Sequence, residues 1–342
     1  MTPRAALLAW YRRHRRDLPW RRTRDPYAIW VSEIMLQQTR VETVIPFYER
    51  FLVRFPTVGA LARTPEPDVL AAWSGLGYYR RAKNLRAAAV AVMRDHEGRV
   101  PETVEGLRSL PGIGAYTAAA IASIAFGIPA AAVDGNVIRV IARREGLKGR
   151  RDDAGLRRDV KAKAEALAPG PSPGDWTQAL MELGATICLP KEPLCERCPV
   201  ASGCRALLDG RPDRYPEPLR AVRPRREHRV LLLVRHRRRI LLIPDPQDDG
   251  ATLAPPSAAV RAGAPAGRVA RALARAHGAA GEPSGPSRTF RHQTYSHDYT
   301  IEVWEATGQG DQVLREGARW SASSQLSRLP LRATTLKAIK GL

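Results

Sequence analysis

No apolar run in this 342-residue chain is long enough to cross a bilayer. The one near the start, AALLAWY, lacks a small-residue cleavage site and runs straight into RRHRRDLPW, so neither a membrane anchor nor an export signal is expected. Cysteine is scarce: four in the whole chain, all between Cys188 and Cys204. In a protein expected to be cytoplasmic, close to the nucleoid, such thiols stay reduced, which excludes a disulfide framework. Acids are outnumbered too, 34 Asp and Glu against 55 Lys and Arg, a formal charge of +21 spread over both halves. The missing counter-charge points to a polyanionic partner. With no lipid anchor or long basic amphipathic helix in view, DNA or RNA is the expected partner, well ahead of an anionic membrane surface. There is no internal repeat, and the length with 44% hydrophobic residues suits two domains.

Residues 1–208 read as mainly α-helical. VEGLRSL, TAAAIASIAFG and VIRVIARREG carry apolar residues at three- and four-residue spacing between Gly and Pro breaks. The Pro- and Arg-rich stretch 209–228 reads as a linker. From 229 to 342 the short runs RVLLLV, RRRILLIP and YTIEVWEA predict strands, with a helix at AGRVARALARAHG, giving a smaller α/β domain.

The cysteines are separated by six, two and five residues in CLPKEPLCERCPVASGC. Zinc sites usually pair their ligands two by two, whereas here only Cys195 and Cys198 form a close pair. One compact loop wrapping four thiolates suits a cubane [4Fe–4S] cluster, and spacing alone leaves both metals open.

Two further features carry chemistry. In LRSLPGIGAYTAAA, Pro111 stops one helical segment, and Gly112 and Gly114 are expected to permit positive φ and to offer backbone N–H groups to a phosphate. A glycine-capped helical turn would look the same. Twenty residues on, VDGNVIRVIARR puts Asp134 just ahead of a helix with Val137, Val140 and Ile141 on one apolar face, the position of an N-cap. In YAIWVSEIMLQQT, the neighbours Ile29, Trp30, Ile34 and Met35 predict a buried helix, with Gln37 one turn beyond Glu33. Burial raises a carboxyl's pKa and suits it to donate a proton near neutrality, although a lone Glu at a helix edge is usually just solvated.

The cysteine spacing resembles that of the endonuclease III branch of the helix-hairpin-helix DNA glycosylases, which implies the [4Fe–4S] cluster. LPWRRTRDPYAIWVSEIMLQQT, WSGLGYYRRAKNL, LPGIGAYTAAA, VDGNVIRV and TQALMELGATIC resemble the adenine DNA glycosylases of the MutY family across most of residues 11–208. The resemblance implies a monofunctional enzyme that removes adenine mispaired with 8-oxoguanine or guanine from duplex DNA, acting as a monomer. It implies Glu33 as general acid, Asp134 as stabiliser of the oxocarbenium ion and Tyr116 as helper. The strand-cutting relatives carry a lysine where this chain has Tyr116, and a phenol forms no Schiff base. Arg16, Trp20, Leu36 and Gln178 are implied to line the adenine pocket. Gln37, Gln38, Thr39, Tyr78, Gly112 and Gly114 are implied to touch DNA, Tyr78 and Gln38 as wedges beside the lesion, while neighbouring Tyr79 reads as core. Lys191, Arg197 and Arg205 around the cysteine loop are expected to face phosphates.

For the second domain the resemblance implies a Nudix-like, non-hydrolytic lesion reader. Its helix AGRVARALARAHG holds no acid for Mg²⁺. Tyr295, Ser296 and His297 stand at the matching lesion-reading loop, although His292 and His297 would also pass as ordinary edge-strand residues. IPDPQDDGATLAPPSAAVRAG departs from the family by lacking Trp and Phe. Two other readings remain: a related mismatch glycosylase of different base choice, and a non-catalytic iron–sulfur DNA-binding protein.

Overall fold

A computed structural model describes residues 2–218, 224–246, 252–294, 296–309 and 316–340. The chain divides into two compact units, residues 1–63 with 87–220, and residues 64–86 with 221–342. Twelve α-helices, besides three short 3-10 turns, precede the first strand among the described residues. They are α1 (Pro3–His14), α2 (Pro26–Leu36), α3 (Val41–Arg54), α4 (Val58–Arg63), α5 (Glu66–Ala72), α6 (Arg80–Asp95), α7 (Val104–Arg108), α8 (Ala115–Phe126), α9 (Gly135–Glu145), α10 (Ala154–Leu167), α11 (Pro173–Thr186) and α12 (Arg205–Leu208). No described helix is long and apolar enough to cross a membrane.

In the first unit α11 packs on α1, α8 and α9, and α8 on α2. Asp25 caps α2 by accepting from the Tyr27 N–H at 3.0 Å, and Pro26 presets the first turn. Every residue from Tyr27 to Met35 is buried, so α2 is a core helix with no wet face. One glycine fixes how closely two helices meet. A Cβ on Gly184 of α11 would lie 2.5 Å from Asn136 Cβ, so any side chain there would lever α11 away from the start of α9. The core between α1, α9, α10 and α11 also receives Cys188 and Cys198, which anchors the cysteine loop to the helices.

In the second unit the strands are β1 (Arg225–His236), β2 (Arg239–Pro244), β3 (Leu253–Ala254), β4 (Ser257–Ala259), β5 (Ala279–Gln293), β6 (His297–Gly308) and β7 (Arg319–Ala322). Its helices are α5, the start of α6, α13 (Ala266–Ala276) and α14 (Ala333–Ala338). The sheet runs β3-β2-β1-β6-β5, with β4 on β1 and β7 on β2. β1 and β6 are parallel, Val230 opposite Glu302 and Leu232 opposite Trp304. The unbroken apolar run of β1 follows from burial on both faces: Leu231 and Leu233 join the core that holds Leu326 and Ile339, while Leu232 and Val234 meet Ala274 of α13.

The structure departs from the sequence reading in three places. β1 starts at Arg225, inside the stretch 209–228 expected as a linker. The earlier part of that stretch is tied down, with Tyr215 buried and the Glu217 N–H donating to Gly149 O at 2.9 Å. Residues 64–86 group with the C-terminal sheet, because Tyr79 and Ser74 hydrogen-bond the Leu331 backbone. Finally, AAGEPSGPSRTFRHQ forms β5, a strand that composition hides; it is an edge strand with register shifts on β6, which is where Pro and Gly are tolerated.

Candidate active site

A cavity of about 400 Å³ opens in the first unit, walled by α2, the start of α8, the start of α9 and α11. Its volume suits a base-sized ligand. Glu33 lines it at 6% exposure, and Tyr116 Oη donates to Glu33 Oε2 at 2.9 Å. Burial pushes the Glu33 carboxyl from 4.5 up to about 7; the Tyr116 hydrogen bond and the Arg21 charge oppose the rise, and the Asp134 charge adds to it. A group poised near neutrality both keeps a proton and can give it away. The same burial, with the two carboxylates nearby, holds the Tyr116 phenol well above its ordinary value, so it stays a donor.

Asp134 caps α9 with one oxygen, which accepts the Asn136 N–H at 2.9 Å and the Val137 N–H at 2.7 Å. The other accepts Asn136 Nδ2 at 2.9 Å. Burial raises this carboxyl above its ordinary range, while the three N–H donors pull it down. The N-cap and the site carboxylate are thus one residue, which fixes the carboxylate at the positive end of α9. Asn136 Oδ1 in turn accepts Arg139 Nη2 at 2.8 Å, and Arg139 Nε donates to Cys188 O at 2.7 Å. A continuous chain of hydrogen bonds therefore joins the site carboxylate to the cysteine loop.

Arg16, Trp20, Leu36, Gln37, Gln38, Thr39 and Gln178 all line this cavity. Trp20 is buried edge-on against Tyr48, their rings 5.4 Å apart. Gln37 Nε2 donates to Thr117 Oγ1 at 3.3 Å, which aims its amide across the α2–α8 seam. Gln38 is exposed and left-handed, with φ of 57°. Sequence reasoning missed Arg21 and Glu182. A carboxylate within the apolar stretch ALMELGATIC was the one signal that could have flagged Glu182.

The hairpin turn differs in one respect from the expectation. Gly112 is left-handed at φ 77°, but Gly114 is extended at φ −86°, so its backbone does not call for glycine. Nor does crowding call for it: no heavy atom lies within 4 Å of where its Cβ would sit, at the exposed start of α8. That leaves the turn open to a close-lying backbone.

Among the described residues, the other sequence candidates do not line this cavity. In the second unit Tyr78 is 55% exposed at φ 51°, with the Arg81 guanidinium 5.4 Å over its ring, while Tyr79 is buried. Tyr295 lies outside the described residues. Ser296 Oγ is 2.9 Å from His297 Nδ1, and the His297 ring stacks on Tyr299 at 5.2 Å. His297 begins β6, an inner strand, whereas His292 sits on the edge strand β5. Lys191, Arg197 and Arg205 are exposed.

The four cysteine thiols are free, half-buried and line one small cavity together with Arg143. Arg143 Nη1 lies 3.3 Å from Cys188 Sγ, a cation beside a thiol that must ionise to bind a metal. No described trio of His, Cys, Asp or Glu could hold a single metal ion. All four thiols line that one cavity, a donor set that fits a four-iron cube.

Residues 31–166 match the family model described as HhH-GPD superfamily base excision DNA repair protein. An adenine DNA glycosylase of Rattus norvegicus is 47% identical over 212 residues, 59% of this chain and 41% of that protein. One of Mycolicibacterium smegmatis is 44% identical over 200 residues, 58% of this chain and 67% of that protein. A solved structure titled a thermostable thymine-DNA glycosylase aligns with TM-score 0.55 and 34% identity, covering 60% of this chain and 95% of that one. The chain spans about two fifths of the length of the mammalian relatives it matches. With the buried acid, the capped aspartate and the hairpin in place, these matches mean that the chain belongs to the HhH-GPD superfamily, in its adenine DNA glycosylase (MutY) family.

Proposed function

We propose that this chain hydrolyses the N-glycosidic bond of adenine mispaired with 8-oxoguanine, or with guanine, in duplex DNA. The observation that carries the reading is a carboxyl poised at about 7, hydrogen-bonded by Tyr116, in a cavity that Asp134 also lines. Reaching it requires extruding the nucleotide from the stack, at a cost of a few kcal/mol. Glu33 then gives its proton to N7 of the flipped purine, which turns the base into a neutral leaving group. As the bond breaks, positive charge grows on the sugar, and the Asp134 carboxylate stabilises it. Tyr116 keeps the Glu33 carboxyl turned into the cavity. No lysine is among the described residues lining this cavity, in keeping with simple hydrolysis rather than amine attack on the sugar.

Cys188, Cys195, Cys198 and Cys204 would hold a [4Fe–4S] cluster, which, when bound, cross-links the loop that presents Lys191, Arg197 and Arg205 to phosphate. The C-terminal unit reads the opposite lesion through Tyr295, Ser296 and His297, and the protein works as a monomer on chromosomal DNA. The test is a glycosylase assay with A paired to 8-oxoguanine beside A paired to guanine; no adenine release from either duplex by the iron-loaded protein sinks the reading. The likeness to a thymine-DNA glycosylase supports a second one, removal of thymine opposite guanine. Thymine has no N7 to receive the Glu33 proton, and release of thymine but not adenine from a mismatch panel would decide for it.

A further inference from the structure

Glu182 is the one acid on α11 facing the base cavity, and its side chain has 0% exposure. A lone buried carboxylate is expensive, so its partners decide what it is for. Its Oε1 accepts both the backbone N–H and Nε of Arg16, each at 2.9 Å. Its Oε2 accepts Arg16 Nη2 at 2.7 Å and Arg21 Nη2 at 2.8 Å. Arg21 Nη1 donates to Arg16 O at 3.1 Å, and its guanidinium lies 5.5 Å over the Tyr11 ring. Two cations and one anion are thus bolted together at the cavity wall, and the peptide of Arg16 is bolted with them.

Burial works against the Glu182 anion, but the hydrogen bonds from Arg16 and Arg21 outweigh it and hold its pKa at about 2. It is therefore charged at every working pH. The wall carries one net positive charge instead of two, and of its charges Arg21 acts on Glu33. The groups that face Glu33 are Tyr116 from α8, Asp134 from the start of α9, and Arg21 from the segment ahead of α2. Arg21 is the cation among them, and a cation favours the ionised form of an acid.

We propose that Glu182 is a positioning residue of the base cavity: it locks Arg16 and Arg21 into one wall, fixing the edge of the pocket and shielding Glu33 from the Arg21 charge. The inference rests on the adenine-releasing reading of this site. Without Glu182, Arg21 acts on Glu33 uncompensated, Glu33 ionises earlier, and less of it carries the proton the purine needs.

The experiment is a ¹³C NMR titration of the Glu33 carboxyl in the iron-loaded protein without DNA, assigned with Glu33→Gln. Glu182→Gln should move the Glu33 titration to lower pH by roughly half a unit or more, because the anion shielding Arg21 is gone. Glu182→Asp keeps the charge and should leave it in place. In single turnover, Glu182→Gln should then lose more activity at pH 8 than at pH 6, whereas a purely structural role lowers both alike. Arg21→Gln leaves Glu182 paired with Arg16 and should move the titration upward, which keeps the question answerable if Glu182→Gln does not fold. An unmoved Glu33 titration in either variant overturns the proposal, whatever the activity. Failure of the wild type to release adenine overturns the function reading instead and leaves the titration result standing.

Discussion

Glu33→Gln should cost the protein its activity and at the same time make it more stable above neutral pH. The Glu33 carboxyl has a pKa of about 7 in the folded chain against an ordinary 4.5, because burial disfavours its charge. Between those values the folded chain holds a proton there that the unfolded chain does not, so stability is lost as pH rises from about 4.5 to about 7. Above that window the buried carboxylate costs on the order of 3 kcal/mol, the difference between the two pKa values at ~1.36 kcal/mol per unit. Glutamine keeps the size and still accepts the Tyr116 hydrogen bond, but carries no charge. Thermal unfolding should therefore show the variant roughly 5–10 °C above the wild type at pH 8, and close to it at pH 5. Adenine release should fall at least a thousandfold at both pH values. A Tm difference that is the same at pH 5 and pH 8 would refute the claim that Glu33 is held protonated by burial.

Tyr116→Phe removes an O–H that favours the ionised form of Glu33, so the high-pH limb of single-turnover adenine release should move up by roughly one unit. A limb left near pH 7 would contradict the role of that hydrogen bond. Asp134→Asn retains a good helix cap and should leave Tm nearly unchanged, while the rate drops by roughly 10²–10³ for want of a negative charge beneath the sugar. A variant with half the wild-type rate would place the stabilising charge elsewhere. Arg139→Met should destabilise the protein by roughly 2–4 kcal/mol in urea, since it strips donors from Cys188 O, Gly184 O and Asn136 Oδ1. Iron content per chain should fall with it, and a variant with full iron and an unchanged urea midpoint would argue against the link between site and loop.

Local chemistry made much of this protein legible before any coordinates. Asp134 ahead of an amphipathic run, and the glycines Gly127 and Gly146 that close TAAAIASIAFG and VIRVIARREG, are signals that act within a few residues, and each marks a real boundary. The spacing of the four cysteines and the acid-free helix α13 are likewise written in order along the chain. β5 was not legible, because Pro and Gly in AAGEPSGPSRTFRHQ hide a strand whose partner β6 lies beyond it. Nor was the grouping of 64–86, which depends on hydrogen bonds from Ser74 and Tyr79 to Leu331 some 250 residues away in sequence.

The sequence by itself determined which groups this protein owns: a carboxyl on an apolar helix, a capping aspartate, a glycine turn, four thiols and a surplus of cations. Tertiary structure alone decided what those groups can do. Whether Glu33 stays protonated depends on its burial beside α8 and Tyr116, and whether Glu182 stays charged depends on Arg16, which is 166 residues distant. Burial and pairing are properties of neighbours in space, and they set protonation; residue order names the neighbours only within a helical turn or two.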